Sequence, residues 1–515
     1  MRTAIATAAS GCSAASASEL LREFFLHHAQ VELSEAGQRL ARVGDEHTGY
    51  ALHPEPGRLV CHFWAPEANL VRRIVGVRRA GRERLELDVL RLGQTRPSRL
   101  VLRAAGAHGE MDRGRDACRQ ALWAAVQRDW TEWRLINAAG PKGHGAVVRF
   151  LLQRQQRLLV CAAVDSGEGA ADVLLALAQA LVWAGQLRAQ YRERAVAEVR
   201  LIVPPGGEVW LRLLHGALRA PPALSCYHLD RTGGRLEPVA LSDAGNTASG
   251  LRRAAGAAGV EFRGAEAAAL LSRVRRSCPQ ATWETAAEGY GYVSVYGLPV
   301  VRESTGTDAQ LATGAGPRAA PFVFGCGGEQ TPLVPETEDL FQRWLDAVGR
   351  ERATGGSRAM ALYAAYPEAW MGHMLRHDPQ AFDAQLQPGA LHAEVPIATP
   401  AGKAMVDLLA LNRAGRLVVT ELKAAEDLTF PLQALLYWQQ VKQHQTQGDL
   451  ERLGYFPGRA ISPEAPLLWL VAPALRWHPL TPWLTPWLAE EVPCTLIGLN
   501  EEWRRAVQVV FRKPA

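Results

Sequence analysis

The sequence from residue 404 to residue 423 consists of two apolar runs separated by a short polar turn. The first run is Ala404-Met-Val-Asp-Leu-Leu-Ala-Leu, the turn is Asn412-Arg-Ala-Gly, and the second run is Arg416-Leu-Val-Val-Thr-Glu-Leu-Lys. Two apolar runs joined by a glycine-containing turn predict a β-hairpin. Because side chains alternate along a strand, Glu421 and Lys423 are expected on one face, and Leu422 on the other.

Three charged residues interrupt these apolar runs. Asp407 lies on the first strand and reaches the face of Glu421 and Lys423 if the hairpin register permits. Burying two carboxylates and a lysine among valine and leucine is costly unless the charges compensate one another or hold a metal. A hard divalent cation such as Mg²⁺ relieves the repulsion between carboxylates and keeps several waters. A lysine beside it can orient or deprotonate a water, which is the help that phosphodiester hydrolysis needs.

An Asp, a short hairpin, Glu-x-Lys and then a helix carrying glutamine resemble the PD-(D/E)XK nuclease superfamily of restriction enzymes and RecB-type nucleases. The matching residues are Asp407, Glu421, Lys423 and Gln433, the last on a helix predicted from Pro431 to Val441. The resemblance implies that Asp407, Glu421 and the Leu422 backbone carbonyl ligate Mg²⁺ or Mn²⁺. It also implies that Lys423 serves the attacking water and that Gln433 braces the site. It covers about 150 residues of the 515.

One feature of that family has no clear counterpart here. Many relatives carry an acidic residue on the preceding helix, and the weak candidates for it are Glu368 and Glu394. A buried ion-pair network without metal, formed by Asp407, Glu421 and Lys423, is the alternative to a metal centre. The aromatic residues after Gln433, Tyr437 and Trp438, either stack on bases or pack in the core, and their apolar surroundings favour the core.

The rest of the chain predicts a mixed α/β protein of several domains. We expect a helix and a β-rich unit over residues 1–105, an α/β domain over 106–250, a loosely structured connector with strands over 251–335, and a nuclease-like mixed sheet flanked by helices over 336–515. Within the first unit, the arginine pairs Arg72-Arg73 and Arg78-Arg79 either line a phosphate-binding face or protect a solvated strand edge.

A second stretch repeats the apolar pattern of the hairpin and helix. Arg157-Leu-Leu-Val-Cys-Ala-Ala-Val aligns with the strand from Arg416 to Lys423, and Ala178-Gln-Ala-Leu-Val-Trp aligns with Gln433-Ala-Leu-Leu-Tyr-Trp. Ala162 and Val164 then occupy the Glu421 and Lys423 positions. Our hypothesis is that residues from about Asp112 to Pro204 form a catalytically dead copy of the same fold. The alternative is two independent α/β units of similar composition.

Composition sets the remaining expectations. The net charge of +5 permits contact with a polyanion without demanding it, and the eight cysteines are scattered singly, which disfavours a zinc ribbon or iron–sulfur cluster and fits a reducing cytoplasm. No segment has the roughly 20 apolar residues needed to span a membrane, and residues 1–18 lack the apolar core of a signal peptide.

The expected partner is DNA, with RNA as the alternative substrate. The rival functions are a non-catalytic nucleic-acid-binding or scaffolding protein, and a purely structural one.

Overall fold

The computed structural model groups the chain into two compact units, each made of two stretches of sequence. The first contains Met1–Glu110 and Ala258–His373, and the second contains Met111–Ala257 and Met374–Ala515. The structure describes residues 14–28, 30–35, 38–43, 49–55, 58–65, 68–80, 84–90, 97–104, 111–139, 147–164, 170–191, 195–219, 223–230, 234–243, 249–252, 264–286, 289–305, 321–326, 330–357, 360–399 and 402–515.

The first unit begins with a helix and an antiparallel sheet of seven strands. The elements are α1 (Ala14–His27), β1 (Val31–Glu35), β2 (Gln38–Val43), β3 (Gly49–Glu55), β4 (Arg58–Ala65), β5 (Ala68–Ala80), β6 (Arg84–Leu90) and β7 (Ser98–Ala104), in the order β2-β1-β7-β6-β5-β4-β3. Leu21 and Phe24 of α1 pack against the inward residues of the sheet, such as Leu33, Phe63 and Leu87. One apolar face of the sheet is therefore covered by α1.

The structure corrects both interpretations of Arg72. Strand β5 lies between β4 and β6, so it is not a sheet edge. The Arg72 guanidinium is buried and donates to Glu35, with 3.1 Å from Nε and 2.7 Å from Nη2 to Oε2. Arg72 lies on the same buried face of β5 as Leu70 and Ile74, because side chains two residues apart share a face of a strand. A charge buried at such a position needs a partner.

Residues 111–239, in the second unit, form an α/β fold of one sheet with helices. The elements are α2 (Met111–Asp129), β8 (Arg134–Ala139), β9 (Val147–Arg154), β10 (Arg157–Val164), α3 (Ala170–Gln190), β11 (Ala195–Ile202), α4 (Glu208–His215), β12 (Ala223–Leu229) and β13 (Leu236–Val239). The sheet order is β13-β12-β11-β10-β9-β8, with β10 parallel to β11 and β11 parallel to β12. Helix α3 crosses between the parallel strands, which explains its length and apolar character.

The segment that the sequence suggests as a connector contains a second sheet of the first unit. After the short strand β14 (Gly250–Leu251), the elements are α5 (Ala265–Ser277), β15 (Ala281–Thr285), β16 (Gly291–Val295), β17 (Leu298–Glu303), β18 (Phe322–Phe324), β19 (Thr331–Pro332), α6 (Glu338–Glu351) and α7 (Ala361–Ala364). Strands β15 to β19 pair in chain order as antiparallel neighbours. Strand β14 joins a different sheet, beside β20.

The C-terminal stretch completes the second unit, which resumes at Met374 within the first of the helices given next. The elements are α8 (Pro367–His377), α9 (Pro379–Phe382), β20 (Leu386–Thr399), β21 (Gly402–Asn412), β22 (Leu417–Leu422), α10 (Phe430–Thr446), α11 (Asp449–Arg452), β23 (Leu467–Pro473), α12 (Thr481–Leu484), β24 (Cys494–Leu499) and β25 (Val509–Pro514). The sheet order is β14-β20-β21-β22-β23-β24-β25. Strands β22, β23 and β24 are parallel, and the flanking strands are antiparallel.

The mixed α/β class predicted from the sequence is confirmed. The predicted hairpin and the helix that follows it are also present, the helix extending to Thr446 rather than ending at Val441. Within the described ranges, no helix combines the length and apolarity required to cross a membrane.

Candidate active site

The hairpin of β21 and β22 is built by a tight turn between Asn412 and Arg416. The Asn412 side chain accepts hydrogen bonds from the backbone N–H groups of Ala414 (3.0 Å) and Arg416 (2.9 Å). Gly415 has a φ of +76°, a conformation that glycine adopts without steric cost. A Cβ at Gly415 would lie 2.7 Å from the Ala460 carbonyl oxygen, so the turn also needs glycine for space.

The far end of this hairpin opens at the predicted acidic residues. Regular pairing of β21 with β22 runs from Leu411 and Leu417 to Leu408 and Thr420. Beyond that pair, the Leu422 N–H donates to Asp407 Oδ2 at 2.7 Å instead of to a strand carbonyl. The Asp407 carboxylate therefore takes over a backbone hydrogen bond and lies beside residues 421–423.

Glu421 is a buried carboxylate in an apolar strand. Its side chain is 4% exposed, and Oε2 is buried with no hydrogen-bond partner among the described residues. Burial, and after it the negative charge of Asp407, raise the pKa of Glu421 well above its ordinary value, whereas Lys423 opposes the shift. An isolated buried carboxylate oxygen is costly, so this position calls for a positive ligand or a proton.

Lys423 lies between two acidic side chains. Its Nζ is 3.5 Å from Glu421 Oε1 and 3.9 Å from Asp427 Oδ2, and the side chain is 21% exposed. Asp427 also accepts from the Thr429 backbone N–H and hydroxyl, both at 2.7 Å, at the start of α10. Asp427 was not among the residues predicted from the sequence; its signal is an Asp-x-Thr turn before a helix, four residues after Lys423.

The two weak acidic candidates have different positions. Glu394 lies on β20 between the pairs Ala393–Leu408 and Val395–Val406, which places it across from Asp407 in register. Its φ is +50°, an uncommon backbone conformation for a residue other than glycine. Glu368 lies in α8, in the other compact unit. Of the two candidates, the register brings Glu394 to the strand that carries Asp407.

Helix α10 supplies one further polar residue close to the carboxylates. Burial, followed by the charges of Glu421 and Asp407, raises the pKa of the Tyr437 hydroxyl above its ordinary value. Gln433 precedes Tyr437 by one helical turn and is half-buried, and no hydrogen bond within the described chain joins its side chain to the acidic residues. Trp438 is fully buried and donates to the Pro466 carbonyl at 2.7 Å, so the core-packing interpretation is correct for Trp438.

The residues present fit a hard divalent cation with few protein ligands. The unpartnered Glu421 oxygen beside the Asp407 carboxylate offers the oxygen donors that Mg²⁺ prefers, and Mg²⁺ commonly retains several waters. No group of three His, Cys, Asp or Glu side chains suited to a metal occurs in the part of the chain that the structure describes. The carbonyl of Leu422 as a third ligand remains a prediction.

Comparisons with known proteins give little further information. No family model and no curated protein matches the chain. Among solved structures, a match is found to the crystal structure of a repair endonuclease from Pyrococcus abyssi, at 13% identity, covering 45% of this chain and 98% of that one. The TM-score is 0.17, too low for the match to support a conclusion about the function of this chain.

Proposed function

We propose that this chain is a metal-dependent nuclease that hydrolyses phosphodiester bonds in DNA, with RNA as the alternative substrate. The observation that carries the proposal is the buried Glu421 carboxylate, whose Oε2 has no hydrogen-bond partner within the described chain, next to Asp407 and Lys423. Structural ion pairs usually satisfy all their polar atoms when they are buried. An unsatisfied acidic oxygen at an open strand end is better explained by a cation that binds there.

In this proposal, Asp407, Glu421 and the Leu422 carbonyl hold Mg²⁺ or Mn²⁺. Such a cation supplies charge stabilisation for the scissile phosphate and lowers the pKa of a bound water. Lys423 is partly exposed, so its ammonium group can meet substrate and solvent while remaining 3.5 Å from Glu421. It orients the attacking water and stabilises the negative charge that develops on the phosphate oxygens. Gln433 and Tyr437, on one face of α10, brace the arrangement.

The rival proposal is a nucleic-acid-binding protein that retains this arrangement without turnover. Without a cation, the raised pKa of Glu421 favours its protonated form, and Asp407, Glu421 and Lys423 then form a structural network. The two proposals differ in whether a divalent cation and Lys423 change the covalent state of the substrate.

The test is cleavage of labelled single-stranded DNA, double-stranded DNA and RNA by the purified protein, with Mg²⁺ or Mn²⁺ and with EDTA. We expect cleavage that requires metal and falls at least about 100-fold in Lys423→Ala, since a positioned proton-transfer group contributes roughly 10²- to 10⁴-fold. Lys513→Ala removes the same charge from an exposed position on β25 and should leave cleavage unchanged. Binding without cleavage under any metal would favour the rival proposal.

A further inference from the structure

The two halves of the second unit have the same topology. In strands β8 to β13 and in strands β20 to β25, the successive pairs are antiparallel, antiparallel, parallel, parallel and antiparallel. Helix α3 connects β10 to β11 just as α10 connects β22 to β23, and α4 matches α12 in the next connection. A different strand order would have excluded the repeat hypothesis, and the orders agree.

The halves also meet through equivalent residues. Leu218 lies six residues before Leu224, which pairs with Val199, and Leu488 lies six residues before Cys494, which pairs with Leu468. Leu218 and Leu488 form an isolated antiparallel bridge. On one side the Arg219 N–H donates to Trp487 O (2.7 Å), and on the other the Ala489 N–H donates to Ala217 O (3.0 Å).

This exchange is symmetric, because residue 219 matches 489 and residue 217 matches 487. The helices follow the same rule, since α3 contacts α12, α4 contacts α10, and α3 contacts α10. A contact in which each partner offers the same surface to the other is the mark of a twofold axis. The second unit is therefore arranged as a dimer of two similar folds within one chain.

The active-site positions differ between the two halves. The pair Leu151–Val160 in the first half is equivalent to the pair Leu409–Val419 in the second. Counting along the strands from these pairs, Arg149 is equivalent to Asp407. Its partner Ala162 is equivalent to Glu421. In the first half, pairing continues without opening to Val147 and Val164, and both Ala162 and Val164 are buried. Among the described residues of this half, none of the positions equivalent to Asp407, Glu421 and Lys423 carries a carboxylate, and Arg149 stands where the second half has Asp407.

The Arg149 side chain has features expected of a phosphate-binding group. Its guanidinium carbon lies 5.6 Å from the centre of the Trp183 ring, which limits its orientations. Nε is buried without a hydrogen-bond partner in the described part of the chain, while the side chain as a whole is only half-buried. Guanidinium groups bind phosphate oxygens through paired N–H donors.

We propose that the first half binds one phosphate group of a DNA duplex through Arg149 and does not cleave it. This inference rests on the proposed function, because it assumes that the equivalent point in the second half receives the scissile phosphate. A duplex has local twofold symmetry, so sites related by a twofold axis meet backbones of opposite strands. The chain thus holds one strand while it cuts the other.

The test is the affinity of the full chain for a fluorescent DNA duplex in EDTA, measured over a series of salt concentrations. Arg149→Gln should weaken binding about tenfold and reduce the slope of log affinity against log salt by about 1, the value for one lost phosphate contact. Arg149→Lys should keep the slope because it keeps the charge. The matched control is Arg154→Ala, exposed at the other end of β9, which should change neither value.

Wild-type affinity and slope in Arg149→Gln, or equal losses in Arg149→Gln and Arg154→Ala, would overturn the proposal. Thermal melting checks that each variant is folded, and Arg149→Met, which removes the charge but keeps an apolar stem, repeats the measurement if the glutamine variant is not. Because binding is measured without metal, the two proposals fail separately. A chain that never cleaves but needs Arg149 to bind refutes only the nuclease, and one that cleaves but binds equally well without Arg149 refutes only this inference.

Discussion

Glu421 is the residue at which burial and charge conflict most strongly. It lies on β22, all of whose residues are buried; its Oε1 is 3.5 Å from Lys423 Nζ, and its Oε2 accepts no hydrogen bond within the described chain. Folding raises the pKa of this carboxyl, mainly through burial. The folded chain therefore binds the proton of Glu421 more tightly than the unfolded chain does, and ionising it costs stability.

Because folding raises the pKa of Glu421, the effect of Glu421→Gln on stability should depend on pH. The wild-type carboxyl favours the folded state at acid pH, and that contribution is lost as the pH rises from about 4.5, the ordinary value, through the raised pKa. In EDTA at neutral pH, Glu421→Gln should therefore melt a few degrees higher than the wild type, at roughly 2–4 °C per kcal/mol. The difference should vanish towards pH 4.

The measurement is thermal melting from pH 4 to pH 8, with and without Mg²⁺. Saturating Mg²⁺ should stabilise the wild type and not Glu421→Gln, because only the wild type gains binding free energy. Glu426→Gln is the matched control, since Glu426 is exposed and should show neither effect. A variant that is less stable than the wild type at neutral pH in EDTA would show that the carboxylate is satisfied by the protein alone.

At the scale of the element, the hairpin was predictable because its signals are local. The two apolar runs predicted the strands, and Asn412 with Gly415 predicted the turn. Glu394, Asp427 and Tyr437 were harder to place, because register across β20 and β21 and the rotation of α10 are set by tertiary packing. The alternation rule, applied to β5, would have placed Arg72 inside the sheet beside Leu70 and Ile74.

The turn itself is open to a test with two glycines. Gly415→Ala should destabilise the second unit by about 1–3 kcal/mol, because alanine is strained at positive φ and its Cβ meets the Ala460 carbonyl. Gly454 has almost the same φ, +75°, and a Cβ added there would have no atom within 4 Å, so Gly454→Ala measures the strain alone. Equal losses in denaturant unfolding would mean that the contact with Ala460 contributes nothing.

The backbone of Glu394 leads to a prediction about activity. Positive φ in a non-glycine residue costs about 1–3 kcal/mol, and such residues concentrate at functional sites. Glu394→Gly should raise the melting temperature and lower cleavage, whereas Glu394→Gln should lower cleavage with little change in melting. Gln155→Gly, at φ +53° in the turn between β9 and β10, should raise stability without loss of activity. Full cleavage by Glu394→Gln would show that Glu394 is not part of the active site.

At the scale of the whole molecule, the second unit has one continuous core. The core cluster runs from Val147 through Leu214 and Ala390 to Cys494, so it includes buried residues of both similar halves. The sequence pattern suggested the repeat from one strand and one helix. It could not supply the interleaving of the two units along the chain, because that depends on contacts between distant residues.

The continuous core makes a prediction about Gly185, which lies on α3. A Cβ there would be 3.4 Å from the Trp483 ring of α12, so Gly185→Leu should crowd the contact between the halves and cost about 1–3 kcal/mol. Hydrogen exchange should then increase in α3 and α12 together. Gly185→Ala serves as the smaller step in the series. Increased exchange confined to α3 would show that the two halves unfold independently.

The order of the two halves along the chain affects how the protein is made. Helix α3 ends at Gln190, and α10, which it contacts in the finished protein, begins at Phe430. At about 5–20 residues per second, the ribosome needs on the order of tens of seconds to synthesise the intervening chain. During that interval the apolar surface of α3 that α10 and α12 later cover is open to other molecules. During synthesis, chaperones or a second nascent chain therefore have a long period in which they can bind the surface of α3 that the C-terminal half later covers.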